Sequence, residues 1–280
     1  MKSWLTYAVR TIVIAAMAMA AVSCAQSGAD MPIVDENQSI DVVFQPTLDG
    51  VAAMRVGEAA YIDKLFVEVY MDDYKVGDRL SYDVVGGAIA DFSLALIADQ
   101  RYTILFWAQD KDSSAYDITD FRDIKIDYTA NASFEQFEMR DVFCTAISFT
   151  VTAQTARQRV SLFRPFALLS VGTKSSNYNS AITGQSCKLE LKDIPTSYNL
   201  FNGKAGTKAD VELTFDIDGR KVADYNDYTL LGVSYLLPAE ELNLTVTTTV
   251  GANQKQITTV QPALEANKRY NILGEALLPN

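Results

Sequence analysis

Histidine is absent from all 280 residues. Without it no Ser-His-Asp triad, Cys-His dyad, His-ligated zinc or imidazole general base can be built. Cysteine is scarce, with three in the chain, which excludes a disulfide scaffold. Basic residues are also few: 24 Lys plus Arg stand against 35 Asp plus Glu, a formal charge of −11. Such a surface repels a phosphate backbone, so nucleic acid is not an expected partner. No glycine-rich phosphate loop occurs, because Gly86-Gly87 lacks the Gly, Lys and helix pattern that should come after it. What is present is an apolar share of 49%, that of a folded protein, at a length suited to one or two domains.

The N-terminus reads as an export signal. Lys2 and Arg10 flank a short basic region, and residues 11–22 then carry no charge and end in small side chains. That run is too short for a bilayer span of ~20 residues but fits the apolar region of a signal peptide. Ala21-Val22-Ser23-Cys24 resembles the lipobox of bacterial lipoproteins, with Ala21 where Leu is commonest. On this reading residues 1–23 are removed and Cys24 is acylated; the alternative is an ordinary secretory signal cut nearby. Residues 24–38 form a tether whose first part, 25–30, is polar and rich in small side chains. Acyl chains would then be the membrane anchor. Cys144 and Cys187 remain, each in an apolar strand-like setting, and are expected to be buried free thiols.

From residue 39 onward the dominant pattern has a period of two, which puts apolar side chains on one face of a strand. In residues 210–217, Val211, Leu213, Phe215 and Ile217 alternate with Glu212, Thr214 and Asp216. Residues 241–250 repeat the pattern, and Ile124, Ile126 and Tyr128 alternate with Lys125 and Asp127. Residues 64–70 and 101–108 are more continuously apolar, as strands covered on both faces would be. Turn pairs such as Asp49-Gly50, Gly77-Asp78, Gly86-Gly87, Asn202-Gly203 and Asp218-Gly219 separate these runs. Only residues 133–140 look helical, with Phe134 and Phe137 on one side. The expected fold is mostly β, in two tandem β-sandwiches, 39–157 and 158–280, divided in the polar stretch 152–158.

Candidate chemistry is sparse. Trp107, the one tryptophan beyond the signal segment, sits in an apolar run and is expected in the core. Tyr178, Tyr198, Tyr225 and Tyr228 lie in or near polar loops and are the better candidates for stacking on a sugar. Asp110/Asp112 and Asp216/Asp218 place carboxylates two apart, as calcium loops do, but the remaining ligands and the terminal Glu are missing. Solvated turns are the expected reading, and no metal or cofactor is implied. Two carboxylates elsewhere could in principle serve a glycosidase, but no constellation points to one.

Residues 49–61 are rich in small side chains and carry a lone basic residue, Arg55. The segment is either an ordinary connection or a site for a trypsin-like processing protease. A cut there would sever residues 40–45 from the body of the first sandwich. Departure of that strand, with Ile40, Val42 and Phe44 on its apolar face, would open a groove for another subunit's extended segment.

Several segments resemble one family. They are the lipobox, the Ala-Ala-Met-Arg loop, Ile62-Asp63-Lys64-Leu65-Phe66-Val67-Glu68-Val69-Tyr70 and Tyr102-Thr103-Ile104-Leu105-Phe106-Trp107-Ala108-Gln109. Arg140-Asp141-Val142-Phe143, Leu162-Phe163-Arg164-Pro165-Phe166-Ala167 and Asn267-Lys268-Arg269-Tyr270-Asn271-Ile272-Leu273-Gly274 complete the set. The chain resembles the fimbrillin-like lipoproteins of Bacteroidetes, relatives of type V pilus subunits. That resemblance implies two transthyretin-like β-sandwiches, a lipidated precursor at the outer membrane and assembly by strand exchange. It also implies cleavage after a basic residue in the loop after the first strand, where Arg55 stands, and a second domain opening at Arg164 and Pro165. The tail 275–280 is short for a donated strand, and Asp30 is the only acidic residue just after Cys24. The expected role is a non-enzymatic fimbrial subunit or adhesin precursor, partnered by other pilus subunits or by itself. The alternative is a monomeric surface lipoprotein that binds a glycan or host protein.

Overall fold

The computed structural model describes residues 39–49, 59, 61–261, 263–275 and 277–279; the signal segment and the tether lie outside them. The first half of the chain supplies β1 (Ser39–Leu48), β2 (Lys64–Met71), β3 (Leu80–Val85), β4 (Phe92–Ile97), β5 (Arg101–Gln109), β6 (Val142–Thr150) and β7 (Arg157–Leu162). A three-stranded sheet, β7-β1-β4, faces a six-stranded sheet whose main path is β6-β5-β2-β3, extended by the short strands Tyr74–Lys75 and Ala88–Ile89. Side chains such as Val42, Phe44, Leu65, Leu94 and Phe106 fill the space between them.

The second half supplies β8 (Ala167–Lys174), β9 (Gln185–Pro195), β10 (Lys208–Asp216), β11 (Tyr225–Leu236), β12 (Leu242–Val250), β13 (Asn253–Gln261) and β14 (Arg269–Gly274). The sheet β11-β8-β14, with the short strand Lys221–Val222 beside β11, faces the sheet β10-β9-β12-β13. The alternation decides the faces: Val211, Leu213 and Phe215 of β10 are buried while Asp210, Glu212 and Asp216 stay exposed. The two sheets approach closely at Gly232, where an added Cβ would come within 2.7 Å of Leu189. The protein is therefore mostly β, in two β-sandwiches.

Two features correct the division into 39–157 and 158–280. First, β7 pairs in parallel with β1 from Val43/Arg157 to Leu48/Leu162, so the first sandwich keeps the chain through Leu162. The polar stretch read as a divide is a turn within that sandwich, closed by a reciprocal capping box between Thr152 and Thr155. Second, the segment between β5 and β6, residues 110–141, leaves the first sandwich and joins the second. Its short strands Tyr116–Asp117 and Ile124–Ile126 pair with each other, and Ile124–Ile126 also pairs with Ser197–Asn199, which pairs with Lys204–Ala205. Tyr116, Phe121, Ile124, Tyr128 and Phe134 share one core with the second sandwich, as do Leu105 and Trp107 from the outer face of β5. That double coverage explains why β5 is buried from Tyr102 to Gln109. Within the excursion the expected helix over 133–140 is a single 3-10 turn, Phe137–Arg140. Phe134 stacks on Phe215 and Phe137 on Tyr235, so the two rings serve separate tertiary contacts and not one helical face.

Candidate functional site

β1 is the middle strand of the thinner sheet. Its even-numbered residues point inward: Val42 and Phe44 are fully buried, while Ile40 and Leu48 pack at the margins. The Phe44 ring lies 5.3 Å from Phe92, 6.0 Å from Phe106 and 6.2 Å from Phe149. Val43 N–H donates to the Ala156 carbonyl and Asp49 N–H to that of Leu162, so the odd-numbered backbone groups face β7. The even-numbered groups face β4, whose pairing with β1 ends at Phe44/Phe92. Pro46 therefore points its missing N–H past the end of β4, where no ladder bond is forfeited. β1 alone connects β7 to β4. Its loss would leave a slot one strand wide with unpaired backbone on both walls and an apolar floor.

Ile40, Val42 and Phe44 are thus brought together on one face. Cys24 and Arg55, the expected lipidation and processing residues, lie outside the described residues. The chain emerges from β1 at Asp49 and returns at the buried Ala59 and Ile62, next to β2 in the opposite sheet.

Beneath the excursion lies a group that the sequence reading missed. Glu68 on β2 is buried, yet its Oε1 accepts from Lys75 Nζ at 2.7 Å and from Arg79 Nε and Nη2 at 2.9 and 2.7 Å. Its Oε2 accepts from Tyr70 Oη at 2.7 Å. Burial pushes the Glu68 carboxyl upward, but these donors together hold it below its ordinary range. The Arg79 guanidinium lies 4.3 Å from the Phe121 ring centroid; that of Arg122 lies 4.5 Å from Tyr70 and 4.7 Å from Phe201. Each cation thus spans two parts of the molecule. A charged residue inside Leu65-Phe66-Val67-Glu68-Val69-Tyr70 was the available signal. Where the chain crosses between sandwiches, Arg164 makes a two-pronged pair with Asp141, 2.7 Å on each prong, and both are buried.

The paired aspartates make turns. Asp110 Oδ1 accepts Asp112 N–H at 2.7 Å and Asp218 Oδ1 accepts Arg220 N–H at 3.0 Å, each the hydrogen bond of an Asx-turn. Among the described residues no three metal-ligating side chains gather. Trp107 is fully buried, edge-on to Tyr116 at 5.5 Å. Cys144 and Cys187 are free and buried, and burial pushes both thiols up to about 12. The loop tyrosines do not form one platform: Tyr198 lies at the seam near Cys144, whereas Tyr178 lies against Gly219. Tyr225 and Tyr228 meet edge to face, 6.5 Å apart, at the far end of β11.

Comparison with solved structures finds the same fold in several proteins of Bacteroides. A "putative adhesin" of Bacteroides thetaiotaomicron aligns over 79% of this chain and 80% of its own, with a TM-score of 0.54 and 12% identity. One of the "putative polysaccharide binding proteins" of the same organism aligns over 78% of each chain, with a TM-score of 0.53 and 12% identity. A "putative adhesin" of Bacteroides ovatus covers 84% of this chain and 89% of its own, with a TM-score of 0.54 and 10% identity. At such identities the likeness is one of fold, and it is the fold that the fimbrillin-like resemblance implies. No curated protein matches the sequence. Residues 35–278 match the model of a family of unknown function, DUF6562, and the chain belongs to that family.

Proposed function

We propose that this protein is a fimbrillin-like subunit or adhesin precursor, anchored through acylated Cys24 at the outer membrane and displayed at the cell surface. It assembles with other subunits, or with copies of itself, by exchange of β1. The observation that carries this reading is the position of β1, which is both the first strand among the described residues and the middle strand of a three-stranded sheet. A cut after Arg55 by a trypsin-like protease leaves β1 held by non-covalent contacts alone. Its replacement by an extended segment restores both backbone ladders, and apolar side chains at alternate positions refill the places of Val42 and Phe44. The adhesin neighbours support the surface role by their fold.

The test is the intact mass of the protein from the outer membrane and from shed fibres of its own cells. A lipid-free species beginning at Val56 in the fibres supports processing and assembly. Arg55→Ala subunits that enter fibres normally would overturn the processing step. A full-length species, acylated at Cys24 and never in fibres, favours a second reading, a monomeric glycan-binding lipoprotein. For that reading the part-exposed Tyr225 beside Tyr228 is the place to look.

A further inference from the structure

β6 forms one edge of the six-stranded sheet. It runs nine residues, Val-Phe-Cys-Thr-Ala-Ile-Ser-Phe-Thr, in unbroken register with β5. None of the usual guards is present: the strand has no charge, no proline and no bulge. Two other edges are blunted, β13 by Lys255 on its less exposed face and β10 by charged side chains; β4 is uncharged like β6 but three residues shorter.

The edge already carries one rung. Cys144 N–H donates to the Phe163 carbonyl at 2.9 Å and Phe163 N–H returns to the Cys144 carbonyl at 3.0 Å. Because Cys144 spends both groups away from β5, alternation turns the N–H and C=O of Ala146 and Ser148 the same way. Neither residue has a backbone partner on that side among the described residues. The chain that made the first rung does not continue the ladder, because β7 belongs to the opposite sheet and Arg164-Pro165 turns toward the second sandwich. Beside Ala146 opens a cleft of about 450 Å³, walled by Phe163, Pro165, Tyr198, Phe201 and Asn202. Phe163 is half exposed there, at 49%. The one charged residue lining the cleft, Arg164, is paired with Asp141.

We infer that β6 is a second strand-acceptor edge, which takes an uncharged, extended polypeptide segment from another chain, antiparallel to β6 at Ala146 and Ser148. The exposed groups are backbone donors and acceptors at strand spacing, which an extended peptide satisfies in register. The small side chains of Ala146 and Ser148 leave the cleft free for a bulky apolar residue of the incoming strand, seated between Phe163 and Phe201. A charged segment would lose its hydration there with no counter-charge to meet it. This site is separate from the β1 slot and does not require β1 to leave.

The probe is a phage-displayed library of nine-residue peptides, panned on the intact, unlipidated chain from residue 25. The expected winners are uncharged and alternate in polarity. A winning peptide should protect the Ala146 and Ser148 amides from hydrogen exchange. N-methylation at alternate positions, those facing β6, should abolish binding, while methylation at the intervening positions is tolerated. Ala146→Pro with Ser148→Pro removes two outward donors without touching the ladder to β5, and should weaken binding roughly ten- to a hundred-fold. If that variant does not fold, the exchange and N-methylation results still decide the matter. Charged winners, binding indifferent to N-methylation, protection elsewhere, or no enrichment would each overturn the inference. So would saturable binding of a neutral oligosaccharide that protects the cleft in place of a peptide.

Discussion

Phe44→Ala tests directly whether β1 is an exchangeable plug held by its inward side chains. Phe44 is fully buried and touches rings from the three elements around it, Phe92 on β4, Phe106 on β5 and Phe149 on β6. Truncating such a residue removes its transfer free energy and leaves a cavity, about 3–5 kcal/mol together. Ile40→Ala, at the margin of the same strand, should cost about 1–2 kcal/mol because less surface is buried. In the intact chain, Phe44→Ala should lower the melting temperature by roughly 6–20 °C, at about 2–4 °C per kcal/mol for a fold of this size. The functional version uses a chain with a specific protease site in the 50–58 segment, cut and freed of β1 in denaturant. Refolded, it is titrated with a fluorescent peptide of residues 38–49. The Phe44→Ala peptide should bind roughly two to three and a half orders of magnitude more weakly than the native one. If the two peptides bind within threefold of each other, Phe44 does not anchor β1. If the freed chain takes up neither, the slot does not survive loss of the strand and the exchange mechanism fails.

Glu68→Gln should destabilise the protein by about 2–4 kcal/mol, less than a fully enclosed pair because Lys75 and Arg79 are partly exposed. Glu68 titrates below its ordinary value when folded, so its contribution is full above the unfolded carboxyl range and disappears as pH falls through the folded pKa. Urea midpoints from pH 7 to pH 3 should therefore fall more steeply for the native chain than for Glu68→Gln. Asp141→Ala should cost about 3–5 kcal/mol by leaving Arg164 with a buried, uncompensated charge, while Asp141→Ala with Arg164→Met should cost less than the sum of the singles in denaturant melts. Cys144 and Cys187 should be silent to a thiol reagent in the folded protein and react stoichiometrically once it unfolds. Trp107 fluorescence should be blue-shifted, and should redden in the same urea transition that far-ultraviolet circular dichroism tracks, because Trp107 packs where both halves meet.

Much of the fold was legible because a strand's period is local. Val211, Leu213 and Phe215 alternate with charged or hydroxyl neighbours, and they face inward in β10. The continuous apolar run at 101–108 announced a strand covered on both faces, and β5 is one. The identity of the covering partner could not be read. Leu105 and Trp107 pack under residues 110–141 and against the second sandwich, a contact fixed by topology and not by the period of either segment. Thr152 and Thr155 misled for a related reason, since a polar turn inside a domain and a polar linker between domains have the same composition. The Ile40, Val42 and Phe44 face was legible from alternation alone, but the central place of β1 was not, because its partners β4 and β7 come from distant parts of the sequence. Glu68 shows the opposite limit: a glutamate in an apolar run signals a buried ion pair, yet its cations arrive seven and eleven residues later and from another strand and a loop.

The two sheets of the first sandwich differ in what holds them, and the difference bears on assembly. The six-stranded sheet is packed on both faces along β2 and β5 and tied to the second half by Arg79 over Phe121, by Arg122 between Tyr70 and Phe201, and by the Asp141–Arg164 pair. The three-stranded sheet has one packed face, and its middle strand is held by ladders to β4 and β7 and by inward packing on Phe106 and Phe149. On the exchange proposal β1 opens rarely, because leaving gives up both of its backbone ladders and the burial of Val42, Phe44 and Pro46. A tethered β1 re-binds at a high effective concentration, and a severed one does not. A cut between β1 and β2 would thus lengthen the lifetime of the open slot. On that proposal the seam would hold the acceptor sheet in shape after β1 is lost, and the refolding titration with the 38–49 peptide tests whether it does.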